Sequence, residues 1–256
     1  MAPRQKLRDA RDFDRTQLRE SGHGQTMGRD YSAHFFRWSF ARRFINSTHH
    51  VLEIGCGQDK PLSKILTGGA APHVNTYVGV DLNPLKPSSA QRLSFLGEFN
   101  FIERWKELQA RRPEGYDVLV SMEVVEHFHS RFMPTFMEAC FQLMKPGGTF
   151  LLSTPCYDGV RMAANHINEM TIETLRQHVV KAGFVEHTRY GTFIDIKHIG
   201  KTETSRASKG AIHELRTALS EYYDNDALSC FFAPLYPDHA RNNLWVLHRP
   251  KKEAKR

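Results

Sequence analysis

The segment His50-Val51-Leu52-Glu53-Ile54 runs into the glycine turn Gly55-Cys56-Gly57, and twenty-odd residues later Tyr77-Val78-Gly79-Val80 closes on Asp81. This order of strand, glycine turn, strand and acid constrains the fold more than any other feature of the chain. Glycines between a strand and a helix let the main chain approach a ligand closely and aim its N–H groups at it. An acid that ends the neighbouring strand can accept both hydroxyls of a ribose. The pairing calls for a parallel sheet with a nucleoside-containing ligand at the carboxyl ends of its strands.

The rest of the chain follows the same alternation of short apolar runs and helix-length segments. Strands are predicted over 50–54, 77–80, 116–121, 149–153 (after the turn signal Lys145-Pro146-Gly147-Gly148), 184–190 and 244–248. A further strand falls within 93–101, and 122–128 reads as helical. Near-continuous apolar strands imply an α/β fold in which a doubly wound, mostly parallel sheet is covered by helices on both faces. Four cysteines without a C-x-x-C pair support neither a zinc knuckle nor a disulfide framework.

The organisation expected from the sequence is a basic N-terminal arm and lid helix (1–48), a core (49–194), an insertion (195–243), the last core strand (244–248) and a basic tail (249–256). Aromatic residues interleaved with arginine over 31–45 suggest the lid helix. The insertion, with Tyr222, Tyr223, Phe231, Phe232 and Tyr236, reads either as a substrate cover or as a small core of its own. The net charge of +7 is concentrated at the ends, with +5 over 1–50, +4 over 249–256 and −2 between them. Basic ends can attract nucleic acid, whereas the central block opposes it. No apolar run approaches the length of a membrane span and the first residues are polar, so a soluble, cytoplasmic protein is expected.

The ligand can be narrowed by elimination. A dinucleotide fingerprint wants a third glycine where Lys60 stands, and no phosphate-binding G-x-x-x-x-G-K-[ST] occurs. Glu53, just before the turn, is unfavourable beside a pyrophosphate and suits an ammonium or sulfonium. An amino-acid-bearing nucleoside fits both observations.

At this point the chain resembles the class I S-adenosylmethionine-dependent methyltransferases, in the branch that includes ubiquinone-biosynthesis enzymes. The resemblance rests on Leu52–Gly57, Val78–Leu82, Ser121-Met122-Glu123-Val124-Val125-Glu126-His127-Phe128, Leu143–Phe150 and the H-x-x-E-x-T stretch His166–Thr171. It implies a Rossmann-like, seven-stranded sheet and S-adenosylmethionine as cofactor. It further implies that Glu53, Gly55, Cys56 and Gly57 line the methionine end, Asp81 and Leu82 the ribose and one adenine face, Glu98 and Phe99 the adenine, and Ser121, Met122 and Glu123 the closing side of the pocket.

Methyl transfer is an in-line displacement that asks for positioning and removal of one acceptor proton. His127, His129 and His166 are candidate bases, His127 and His166 foremost. The set Glu123, Glu126, His127 and His166 resembles the metal site of small-RNA 2′-O-methyltransferases. Metal-free relatives carry the same Glu-x-x-Glu-His string, and the expectation is a site without metal. Cys156 stands after strand five, where RNA cytosine-C5 methyltransferases keep a nucleophile. The function expected is methyl transfer to an oxygen or nitrogen of a small-molecule or nucleotide acceptor. The alternatives are an RNA or DNA methyltransferase, including a metal-dependent 2′-O-methyltransferase, and a non-catalytic cofactor-binding scaffold subunit.

Overall fold

The computed structural model describes residues 29–68, 73–88, 90–160, 162–195 and 206–251. The basic arm over 1–28 and the end of the tail over 252–256 lie outside the described residues. Seven strands form one sheet: β1 (His50–Ile54), β2 (Thr76–Val80), β3 (Leu93–Leu96), β4 (Tyr116–Met122), β5 (Met144–Pro155), β6 (Val185–Phe193) and β7 (Asn242–His248). Their order across the sheet is β3-β2-β1-β4-β5-β7-β6. The first five strands pair in parallel, and β7 lies antiparallel between β5 and β6. The helices are α1 (Arg29–Ala41), α2 (Pro61–Thr67), α3 (Phe101–Arg111), α4 (Met133–Leu143), α5 (Ile172–Lys181), α6 (Arg206–Leu219) and α7 (Asn225–Phe232).

Side chains on a strand point alternately to its two faces, and both faces of this sheet are buried. Leu52 and Ile54 of β1, Leu119 of β4 and Trp245 and Leu247 of β7 pack with Leu108 of α3, Phe136 and Leu143 of α4 and Val179 of α5. Their strand neighbours Val51, Val118, Val120, Leu244 and Val246 pack on the opposite face with Trp38 and Ala41 of α1 and Leu62 and Leu66 of α2. Asn100 caps α3 by accepting from the Ile102 N–H at 3.1 Å, and Thr171 caps α5 by accepting from Thr174 at 3.2 Å.

The structure moves several expected boundaries. β7 starts at Asn242, ahead of the expected 244, and β6 ends at Phe193, so residues 194–241 lie between the two strands. β5 begins ahead of the Pro-Gly-Gly signal and carries it as an irregularity, with Gly147 at φ +82° and the pairing shifting between Tyr116 and Val118. Arg249, at the start of the basic tail, is part of the fold: its guanidinium donates to the carbonyls of Phe141 (2.7 Å) and Met144 (2.5 Å). In the insertion, Phe232 and Tyr236 are buried with Ile194 and Leu228 in a separate small cluster, while Tyr222, Tyr223 and Phe231 are exposed. α7 packs against α1, which brings the insertion beside the N-terminal helix. Among the described residues no helix is long and apolar enough to cross a membrane.

Leu119 is fully buried on central β4, whereas Val180 on α5 is exposed. In denaturant unfolding, Leu119→Ala is expected to cost about 2–5 kcal/mol, and Val180→Ser no more than about 0.5 kcal/mol.

Candidate active site

Strand register creates the site. Ile54 pairs with Val80 and with Ser121, and Val80 pairs with Leu96, so these strands end along one edge of the sheet. The glycine turn, Asp81, the 97–99 segment and Met122–Glu123 all leave from that edge. They flank β1 and β4, where the strand order reverses, the position at which doubly wound sheets bind ligands.

The turn is held tightly. Gly55 and Gly57 have φ of +76° and +68°, and a Cβ on Gly55 would sit 2.3 Å from Val124 Cγ2, so glycine is required there by both backbone and space. The Gly55 and Cys56 N–H groups donate to the Val80 carbonyl at 2.8 and 3.2 Å. Asp81 Oδ2 accepts from the Gly57 N–H at 2.9 Å, and Oδ1 accepts from Asn83 N and Nδ2 at 2.8 and 3.1 Å. The acid at the end of β2 therefore ties the turn to its own strand. Lys60, Glu98 and Glu123 are non-glycine residues with positive φ, all three beside this edge, where backbone strain commonly accompanies a binding site.

The resulting cleft encloses about 1080 Å³ of empty space, counting its open mouth. Of the sequence-predicted cofactor residues, Glu53, Gly55, Cys56, Gly57, Asp81, Leu82, Phe99, Met122 and Glu123 line it. Glu98 and Ser121 do not: the Glu98 carbonyl accepts from Arg104 at 3.3 Å, and Ser121 is fully buried in β4. Phe99 lies under the Arg104 guanidinium, 4.5 Å from the ring centroid. Glu53 is buried, and burial pushes its carboxyl up to about 8 against the pull of the Tyr77 hydroxyl that donates to it. Burial likewise pushes the Cys56 thiol up.

Glu123 reaches the cleft with its carboxylate already engaged. Ser153 Oγ and Asn242 Nδ2 donate to it at 2.8 and 2.7 Å, and Arg37 of α1 approaches within 3.7 Å. Arg37 also contacts His34 Nδ1 at 2.7 Å, and His34 and Trp38 form the α1 wall of the cleft. A clasp made by α1, β4, β5 and β7 thus closes one side.

The expected helix over 122–128 is not formed. β4 continues to Met122, and only a 3-10 turn, Val125–His127, follows. The carbonyls a helix would use are taken by the later loop: Ile167 and Asn168 N–H donate to Glu126 O at 2.9 and 3.1 Å, and Asn168 Nδ2 donates to Val125 O at 3.0 Å. With Glu123 in the left-handed region, its carboxylate parts from those that follow. Potential ligand atoms of Glu126, His127 and His166 instead lie within 4.8 Å of one another, without Glu123. The His127 and His166 rings meet edge to face at 4.9 Å. His127 lines the cleft, with Nδ1 3.2 Å from the Asn165 carbonyl. His166 Nδ1 lies 2.6 Å from Glu169, which also accepts two bonds from Arg241 Nη2 at 2.7 and 2.6 Å. Burial raises the Glu169 carboxyl, but the Ala163 amide, His166 and Arg241 outweigh it and hold it below its usual range. Glu126 is fully buried, which pushes its carboxyl upward; Oε2 accepts from Thr154 at 3.0 Å.

His129 turns to a local task, its Nδ1 accepting from the Arg131 N–H at 3.3 Å. Cys156 faces a different cavity, between the end of β5, the start of α5 and the 238–241 segment, and burial raises its thiol. Neither property suits a nucleophile for this cleft. Residues not singled out from sequence include Tyr77, His34, Trp38, Arg37, Arg241 and Asn242. Only Trp38 carried a signal, as part of the aromatic stripe over 31–45; the others are brought in by tertiary packing.

The strand order, with a cleft at the strand ends, is that of the fold shared by class I S-adenosylmethionine-dependent methyltransferases. A family model described as a methyltransferase domain matches residues 27–188, and the chain belongs to that family. A ubiquinone biosynthesis O-methyltransferase from Escherichia fergusonii is 33% identical over 107 residues, which cover 41% of this chain and 42% of the relative. The chain therefore spans about two-fifths of the length of the curated relatives it matches. The fold is similar to that of an S-adenosylmethionine-dependent methyltransferase from Archaeoglobus fulgidus (TM-score 0.55, 16% identity, covering 86% of this chain and 94% of the other). It is also similar to Haemonchus contortus phosphoethanolamine N-methyltransferase 2 in complex with S-adenosyl-L-methionine (TM-score 0.53, 14% identity, 96% and 61% covered).

The Glu53 carboxyl is raised from 4.5 to about 8, so the fold favours its neutral form. Its contribution to stability is complete below pH 4.5 and is lost as the pH rises to about 8. Thermal melts of the ligand-free protein at about pH 5.5 and about pH 8 should show this decline, and Glu53→Gln should flatten it.

Proposed function

We propose that this methyltransferase acts on a hydroxyl oxygen of a small-molecule acceptor, with His127 as the base that takes the hydroxyl proton. The observation that carries the reading is the placement of His127. It lines the cleft, and its Nδ1 lies 3.2 Å from a carbonyl, which only accepts. Nδ1 therefore holds the ring proton, and Nε2 is left with the lone pair that a base needs. The Escherichia fergusonii relative is a ubiquinone biosynthesis O-methyltransferase, which favours oxygen over nitrogen.

S-adenosylmethionine supplies an activated methyl group, and the residues present fit it. The close main-chain approach at Gly55 and Gly57 and the acids Glu53 and Asp81 offer donors and acceptors suited to an amino acid and a ribose. In this reading Glu53, Gly55, Cys56 and Gly57 hold the methionine end, Asp81 and Leu82 the ribose, and Phe99 an adenine face. The clasp of Arg37 and Glu123 keeps α1 against the cleft and limits the entry of water, a competitor for the hydroxyl's hydrogen bonds.

A second reading is favoured by the cluster of Glu126, His127 and His166. Each imidazole has its Nδ1 on an oxygen, Asn165 O or Glu169 Oε1, the arrangement that aims Nε2 at a metal. Glu126 Oε1 is buried without a hydrogen-bond partner. One carboxylate and two imidazoles would suit a divalent cation that binds the acceptor hydroxyl and lowers its pKa.

Two measurements test these readings. In calorimetric titration with S-adenosylhomocysteine, Asp81→Ala is expected to bind about tenfold or more weakly than wild type, as the loss of a charge-assisted contact should do. With labelled S-adenosylmethionine and a panel of phenolic and aliphatic hydroxyl acceptors, His127→Ala is expected to lower turnover by about 10²–10⁴. Turnover that persists after exhaustive chelation supports the base reading; loss on chelation and recovery with magnesium or manganese supports the cation.

A further inference from the structure

The floor of the cleft holds a pairing that methyl transfer alone does not explain. Glu53 lines the cleft from β1 and is 2% exposed, and its Oε2 accepts from the Tyr77 hydroxyl of β2. Tyr77 is itself fully buried, its ring against Phe95 at 5.8 Å. Burial, followed by the adjacent Glu53 carboxylate, pushes the phenol well above its usual range, so the hydroxyl remains a donor. A neutral donor fixes one carboxyl oxygen in place and supplies no positive charge.

The groups around Glu53 leave that charge unsupplied. From β2 and its end come Tyr77 and Asp81, the latter a like charge that adds to burial in disfavouring ionised Glu53. From the glycine turn come Cys56, whose thiol burial keeps protonated, and Lys60, whose ammonium lies 4.6 Å from the centroid of Phe95. The α1 wall brings His34 and the β4 side brings Glu123 and His127. Arg37 is engaged with His34 and Glu123. Among the described residues no Lys or Arg pairs with Glu53.

We infer that Tyr77 is a positioning residue for Glu53, and that entry of a cationic amino-acid head group drives the Glu53 carboxyl proton out to solvent. The inference rests on the proposed nucleoside-amino-acid occupant of the cleft and adds what senses its charge. The step balances simply. The Glu53 O–H bond breaks, its electron pair stays on the carboxylate, the proton goes to buffer, and the ligand ammonium becomes the counter-charge. Tyr77 keeps Oε2, leaving Oε1 to the ligand.

The test is calorimetric titration with S-adenosylhomocysteine in two buffers of different ionisation enthalpy, phosphate and Tris. From the Glu53 value of about 8, wild type should release close to one proton per ligand bound at about pH 7 and about half a proton at about pH 8. Glu53→Gln should bind more weakly, with heats that do not depend on the buffer. Tyr77→Phe should bind about tenfold or more weakly, having lost a hydrogen bond to a charged group. Because Tyr77 lowers the Glu53 value, this variant should release more than wild type at about pH 8. Buffer-independent heats in wild type, or an unchanged release in Tyr77→Phe, would overturn the inference and leave the cofactor assignment standing. No binding of S-adenosylhomocysteine by folded wild type would overturn both.

Discussion

The hydrogen bond from the Gly57 N–H to Asp81 Oδ2 organises the rest of the site. It joins the turn after β1 to the end of β2, and through Asn83 and Phe99, whose N–H donates to the Asp81 carbonyl at 2.9 Å, it reaches the segment after β3. Three strand ends are held at one height by a carboxylate and its own main chain. Parallel pairing brings the strands to one edge, and Asp81 keeps their loops there. An acid that arranges the loop still has acceptor capacity for a ligand, since two carboxylate oxygens offer about four lone-pair sites.

Much of this was legible in the sequence, because strand-end chemistry is local. The glycine turn, Asp81 and the apolar alternation of β1, β2, β4 and β5 are written in consecutive residues, and their consequences follow from a pleat of period two. The residues around Glu126 show where that locality ends. Met122-Glu123-Val124-Val125-Glu126-His127 has helical character in isolation, yet the loop carrying Ile167 and Asn168 takes its carbonyls and leaves a single 3-10 turn. Three apart on a helix, Glu123 and Glu126 would share one face. The positive φ of Glu123 sends the first carboxylate to Ser153 and Asn242. Nothing in the alternation distinguishes Tyr77, which bonds a buried acid, from a core tyrosine.

The structure also spreads the site beyond the matched family segment. That segment ends at 188, yet Arg241 and Asn242 reach Glu169 and Glu123 from the far side of the insertion. The Arg241 guanidinium, through Glu169, fixes the ring of His166. A stretch outside the matched segment is thus bonded to the residues nearest the proposed chemistry.

The placement of β7 has a consequence for how the chain acquires its shape. β6 pairs with no other strand of the sheet than β7, and β7 fills the space between β6 and β5. During synthesis β6 emerges with the insertion still to come, and it has no seat until residues 242–248 follow. The parallel half of the sheet can assemble as it leaves the ribosome, whereas the antiparallel edge waits for a contact between distant parts of the chain, the slow kind. Until then β5 presents an open edge. The interval in which this protein is most exposed to wrong partners is therefore set by the length of the insertion.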